Sequence, residues 1–250
     1  MRLAFVGCSI FSREIGYSIS KSKNLVHSFF LEQGLHNTPD ILRQTIQDTI
    51  NKIEEIDKKE KSSHGEKRRG YDAIIIGYGL CSNGVVGLTS SRLPIVIPRC
   101  DDCMALFLGS QEKYLDLFQN SSGIYWYSKP WMENGVMPCK EYFQKLYEHY
   151  LQEYEDEDTA QYLVEQESGY ITQYSNLYFI KSSIYEDEQE AETAKQIAKE
   201  FEWEYNEAPS SMAFISSLVE GDWDDRFLVC NPGQKVAPEY TGLKIKAENV

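Results

Sequence analysis

Short apolar runs alternate with longer amphipathic stretches along this chain. Arg2 to Gly7 is a continuous apolar run followed by polar residues and a helical pattern, which predicts a strand buried on both faces, with Cys8 where it ends. From Thr38 to Ile56, Ile41, Leu42, Ile46, Ile50, Ile53 and Ile56 recur at helical spacing, with Pro39 in the first turn and Thr38 able to cap it. This predicts an amphipathic helix packed on a sheet. Tyr71 to Ile76 is a β-branched run that flows into Gly77-Tyr78-Gly79-Leu80-Cys81-Ser82-Asn83-Gly84, and Leu93 to Pro98 is a third such run, ending at Arg99-Cys100-Asp101-Asp102-Cys103. Three expected strands therefore each end in a cysteine. Met104 to Phe118 reads as a helix.

The pattern continues in the second half. Residues 123–150 are rich in aromatics and turn helical from Glu141 to Tyr150, and an acidic run over 152–167 suggests a soft boundary near 152–170. Leu177 to Ile180 reads as a strand, Glu186 to Phe201 as a helix, Phe201 to Tyr205 as a strand, Ser210 to Glu220 as a helix, and Arg226 to Cys230 as a last strand. Strands alternating with helices imply an α/β fold with mainly parallel sheets, flanking helices and a Rossmann-like character. Two lobes are expected, 1–160 carrying the cysteine site and 161–250 packed on it, or else one continuous domain.

Charge narrows the function. The 250 residues carry 25 Lys+Arg against 39 Asp+Glu, a net charge of −14, which argues against nucleic acid or an anionic membrane as the partner. The basic stretch 57–70 has no interleaved aromatics and reads as a solvated helix end and loop. No apolar run approaches the roughly 20 residues of a spanning helix. The N-terminus lacks a secretory h-region, so a cytoplasmic protein is expected, and its six cysteines are then not a disulfide framework.

In open α/β sheets, ligands bind outside the carboxyl ends of the strands, where Cys8, Cys81, Cys100 and Cys103 are expected. Thiolates from separate strand ends could hold zinc or an iron–sulfur cluster without a local spacing motif, because the sheet sets their separation. Taken singly, each cysteine is explained as well by simple burial. Cys100 and Cys103 form a CxxC ahead of an expected helix, which keeps a dithiol redox protein as a rival. Arg99 could bind an anionic group and Asp102 could orient a ligand or move a proton, against the alternative of a structural ion pair. His36 is a second-tier proton carrier. Gly77, Gly79 and Gly84 could cradle a phosphate or other cofactor, although the loop lacks GxGxxG spacing and a P-loop lysine. Cys139 reads as a bystander, and Cys230 would join the site if the lobes closed over it.

The stretches Gly77 to Gly84, Pro98 to Cys103 with Leu106 to Ser110, Leu31 to His36 with Pro39, and Asn231-Pro232-Gly233 together resemble an uncharacterised family, domain of unknown function 1638. The resemblance implies an α/β protein of anaerobes, often encoded near corrinoid-dependent methyltransferase systems. It also implies that Cys8, Cys81 and Cys103 match family cysteines and that His36, Tyr78, Asn83, Arg99 and Asp102 agree with the pattern. Cys100 and Asp101 depart from the family's usual Ala and His.

Three thiolates leave one position open on a zinc ion, or one iron of a [4Fe-4S] cubane without a protein ligand, which suits an enzyme better than a structural clip. The expectation is a metal–thiolate enzyme, iron–sulfur favoured slightly over zinc, acting on a small sulfur- or methyl-bearing substrate in corrinoid-linked one-carbon metabolism. A corrinoid protein or methyltransferase is the expected partner. The alternatives are zinc-dependent methyl transfer to a thiol, and a non-catalytic accessory protein holding a metal, cluster or corrinoid and docking through the aromatic segment 124–131.

Overall fold

The computed structural model describes residues 1–63, 70–240 and 242–250, so part of the basic stretch, 64–69, lies outside the described residues. The chain forms two compact units, Met1–Tyr114 with Ser210–Val250, and Leu115–Pro209. This corrects the expected lobes 1–160 and 161–250. The acidic run between 152 and 167 is not a linker, because Asp156 caps the helix that follows by accepting from the Thr159 N–H at 2.8 Å.

The first unit contains β1 (Arg2–Cys8), α1 (Ser12–Lys21), β2 (Leu25–Leu31), α2 (Pro39–Ser63), β3 (Ala73–Gly77), β4 (Ile95–Pro98) and α3 (Cys103–Leu108). It ends with α9 (Ala213–Glu220), β8 (Phe227–Cys230), β9 (Gln234–Glu239) and β10 (Lys244–Asn249). The main sheet has the order β2-β1-β3-β4-β8, parallel except for β8, which pairs antiparallel with β4. The α/β expectation with a mainly parallel sheet therefore holds. The chain runs outward from β1 to β2, then returns past β1 to β3. Right-handed crossovers in opposite directions place α1 and α2 on opposite faces. Leu42, Ile46, Ile50 and Ile53 of α2 are fully buried, each contributing about 1.5–3 kcal/mol of burial.

The expected helix from Met104 to Phe118 is two, α3 and α4 (Gln111–Asn120), because Gly109 turns left-handed at φ 76° and ends the first.

In the second unit β5 (Ile124–Tyr127), β6 (Asn176–Lys181) and β7 (Glu204–Pro209) form a parallel sheet in the order β5-β6-β7. The helices α5 (Lys129–Asn134), α6 (Lys140–Tyr154), α7 (Glu157–Ser168) and α8 (Glu188–Glu200) accompany it. The aromatic segment is core. Tyr127 is fully buried and stacks on Trp131 at 5.0 Å, and Tyr125 stacks on Trp203 at 5.5 Å. Cys139 caps α6 by accepting from the Tyr142 N–H at 3.4 Å, in keeping with its bystander reading.

Among the described residues no helix is long and apolar enough to cross a membrane.

Candidate functional site

The reversal of strand order lies between β1 and β3, and the crevice at such a reversal is where doubly wound sheets bind ligands. Gly7 faces Gly77 across these strands, so the next residues, Cys8 and Tyr78, open the two loops side by side. Phe5 explains both glycines. A Cβ on Gly77 would sit 2.4 Å from the Phe5 ring, and one on Gly7 would sit 2.3 Å from it.

The β3 loop then meets the β4 loop directly. Leu80 N–H donates to the Cys100 carbonyl at 2.8 Å and Cys81 N–H to the Asp101 carbonyl at 3.2 Å. Gly79 permits this approach, since a Cβ there would lie 3.0 Å from the Asp102 backbone and the Cys100 oxygen. Gly79→Ala is expected to destabilise the chain by about 2–3 kcal/mol, by analogy with overpacking in a close-packed interior, measured as the urea midpoint. A loss below about 0.5 kcal/mol, the range of neutral surface substitutions, would show that the loops part easily. Gly84 likewise leaves room for Leu42, 2.5 Å from its would-be Cβ. Protein fills the space that all three glycines leave, so packing accounts for them and the cofactor cradle expected there has no separate support.

Past Leu80 the backbone is strained. Cys81, Ser82 and Asn83 have φ of 42°, 57° and 65°, three consecutive left-handed residues that are not glycine. Each costs roughly 1–2 kcal/mol in this conformation, less for asparagine, and such outliers persist where the surroundings hold them and cluster at functional sites. The turn buries the Cys81 side chain, 7% exposed, and leaves Ser82 and Asn83 in solvent.

Cys81 and Cys103 come together. The Cys81 side chain is the strongest influence on the Cys103 thiol and, with burial, raises its pKa well above the ordinary thiol value. Cys8, 6% exposed, lies within electrostatic reach of Cys81, and its thiol is pushed up by burial. Cys100 is fully buried within reach of Cys81 and is also raised by desolvation. Among the described residues no three His, Cys, Asp or Glu side chains are grouped so as to hold one metal ion.

Tyr78 completes the cluster. Its side chain is 3% exposed, its hydroxyl has no hydrogen-bond partner, and Cys8, Cys81 and Cys103 all act on it. Burial, reinforced by these thiols, drives its pKa far above that of a free phenol. A buried hydroxyl without a partner costs free energy, and here three thiols act on it from beyond hydrogen-bond range. Tyr78→Phe is therefore expected to raise stability by about 1 kcal/mol, read as a higher urea midpoint at unchanged slope. Destabilisation of similar size would mean that the hydroxyl has a partner after all.

Asp102 caps α3, accepting from the Met104 N–H at 2.6 Å and the Tyr114 hydroxyl at 2.9 Å. Burial raises its pKa despite these donors. His36, on the turn Leu35–Asn37 after β2, is exposed and feels the Asp102 carboxylate, while desolvation by the neighbouring protein lowers its pKa. Two candidates are engaged elsewhere. Arg99 reaches away, its Nη1 donating to the Leu243 carbonyl at 3.0 Å and to that of Ile245, so it braces β10 instead of waiting for an anion. Cys230 pairs with Ile95 at the amino end of β4, because β8 runs antiparallel, and so lies at the opposite sheet edge from the thiols.

Residues not foreseen hold the β4 loop. Gln111 exchanges two hydrogen bonds with Asp101, at 3.0 and 2.6 Å, and Lys244 lies 2.9 Å from the same carboxylate. Nothing local in the sequence signals the Lys244 contact, because it spans 143 positions.

A family model described as a protein of unknown function, DUF1638, matches residues 30–219. The chain belongs to this family. The stretch matched in DUF1638 contains His36, Tyr78, Cys81, Asn83, Asp102 and Cys103, while Cys8 precedes it and Asn231-Pro232-Gly233 follows it. The similarity expected at both ends thus lies beyond the matched stretch. Neither the curated proteins nor the solved structures yield a match.

Proposed function

We propose that this DUF1638 protein is a metal–thiolate enzyme whose Cys8, Cys81 and Cys103 hold an iron–sulfur cluster beside Tyr78. The observation that carries the reading is the unpartnered Tyr78 hydroxyl among three thiols at the switch point of the sheet. An all-sulfur donor set suits iron–sulfur or zinc. A cluster is preferred because three thiolates on separate loops can each bind a different iron. Bound there, a cluster with one iron free of protein ligands would supply a soft acceptor for the sulfur of a small substrate.

The chain's own residues have defined tasks in this reading. Cys8 and Cys81, nearly buried, would hold their ligand sulfurs away from water. Tyr78 keeps its proton on the phenolic oxygen, as its raised pKa requires, and donates a hydrogen bond to the substrate atom lying against the thiols. Asp102, anchored by Met104 and Tyr114, fixes the start of α3 and hence Cys103. We place the substrate in the sulfur- or methyl-bearing class, and the setting in the corrinoid-linked one-carbon metabolism that the family resemblance implies.

Anaerobic incubation with iron and sulfide, followed by metal analysis and a visible spectrum, tests the reading. Bound iron with matching sulfide and a broad visible band is expected. Stoichiometric colourless zinc taken up in preference to iron would replace the cluster by zinc-dependent methyl transfer. Uptake of neither would overturn the metal reading.

A further inference from the structure

The Cys100-Asp101-Asp102-Cys103 spacing points to a dithiol within one loop, yet the contact in the fold joins two loops. The strongest side-chain influence on the Cys103 thiol is Cys81, ahead of Asp102 and Cys8, and Cys100 is not among the leading ones. The backbones on either side are already tied, by Leu80 N–H to the Cys100 carbonyl at 2.8 Å and Cys81 N–H to the Asp101 carbonyl at 3.2 Å. The Gly79 backbone lies against Asp102 in the same seam. Loops tied this closely place Cys81 and Cys103 on facing sides of one seam, the arrangement from which a disulfide forms with little backbone movement.

We propose that Cys81 and Cys103 form a reversible disulfide that closes the thiol site, a form of redox regulation resting on the metal reading only for its consequence. The oxidant class is a low-molecular-weight disulfide. Cys103 is the more exposed of the two and meets the small disulfide first, slowly near neutral pH because its thiol holds its proton. Its thiolate attacks one sulfur of the small disulfide, forming a mixed disulfide and releasing one small thiol. The Cys81 thiolate then attacks the Cys103 sulfur, forming the internal disulfide and releasing the second small thiol. Two protein thiols give up two electrons and two protons, and one small disulfide becomes two thiols. Closure removes two of the three sulfurs proposed to hold the cluster. Opening needs only a reducing thiol.

The full chain, reduced and metal-free, would be incubated with glutathione disulfide, its remaining thiols alkylated, and its peptides mapped without reduction. The expected product is a peptide joining Cys81 to Cys103, lighter by two hydrogens and restored by dithiothreitol. Cys81→Ser is expected to stop at a glutathione adduct on Cys103, whereas Cys100→Ser keeps the cross-link in full. A dominant Cys100–Cys103 or Cys8–Cys81 bond would overturn the proposal, as would adducts that never resolve in the unsubstituted chain. The metal reading fails separately, since a protein that takes up no iron would still show the cross-link.

Discussion

Single replacement of Cys8, Cys81 or Cys103 by Ser is expected to abolish cluster retention, with iron and sulfide falling to background after reconstitution. Serine offers a harder and less acidic donor in place of thiolate. Changes to groups that merely hydrogen-bond a metal's ligands already cost about 10–100-fold in affinity, so removal of a ligand should cost at least about 100-fold. Cys139→Ser and Cys230→Ser are the controls. Cys139 caps a helix in the other unit, and Cys230 sits at the far edge of the sheet. Full retention in the three ligand variants would sink the assignment, and equal loss in the two controls would reduce it to general instability. Cys100→Ser separates a ligand from a packed thiol: retention is expected, because Cys100 is fully buried and its carbonyl is tied to Leu80.

Glu54→Ala should be the most destabilising change away from the site. The carboxylate, 7% exposed, accepts from Ser90 Oγ at 2.5 Å, Ser91 Oγ at 2.7 Å, Arg92 N–H at 2.7 Å and Leu93 N–H at 3.2 Å. It thereby holds the loop that leads into β4. Truncation leaves several donors without an acceptor, and a loss of about 3–4 kcal/mol is expected from such a network. The check is the urea midpoint at unchanged slope; a loss under about 1 kcal/mol would mean that the loop finds other acceptors. The pH dependence has a definite sign. Burial works to raise the Glu54 pKa, but the Ser90, Ser91 and Arg92 donors outweigh it and the folded value falls below the ordinary 4.5. The stabilisation is therefore present above that unfolded value and is lost as pH falls through the folded one. In Glu54→Ala this part of the acid sensitivity should vanish.

Much of the site was readable from single stretches, and the reason is local. A buried parallel strand must be apolar along its length, so its end is marked wherever polar and glycine residues resume. That marked Cys8, Cys81 and the β4 loop as strand-end groups, and they are. What lay outside local reach was pairing. Strand β2 was missed because His27 and Ser28 break Leu25 to Leu31 into two short apolar stretches that neither run unbroken nor alternate, and β9 with β10 because a two-stranded hairpin carries no long apolar run. Arg99 belongs by sequence to the cysteine loop, yet it turns to β10, whose carbonyls lie some 144 positions away.

The amino-acid sequence by itself determined the α/β class, the amphipathic face of α2, and the set of thiols available at strand ends, since each follows from the spacing of apolar and breaking residues along one segment. Which of those thiols act on one another was settled by how the segments pair. Sheet order and strand direction, which brought Cys103 to Cys81 and sent Cys230 to the opposite edge, depend on contacts between segments far apart in the chain. No local propensity encodes them.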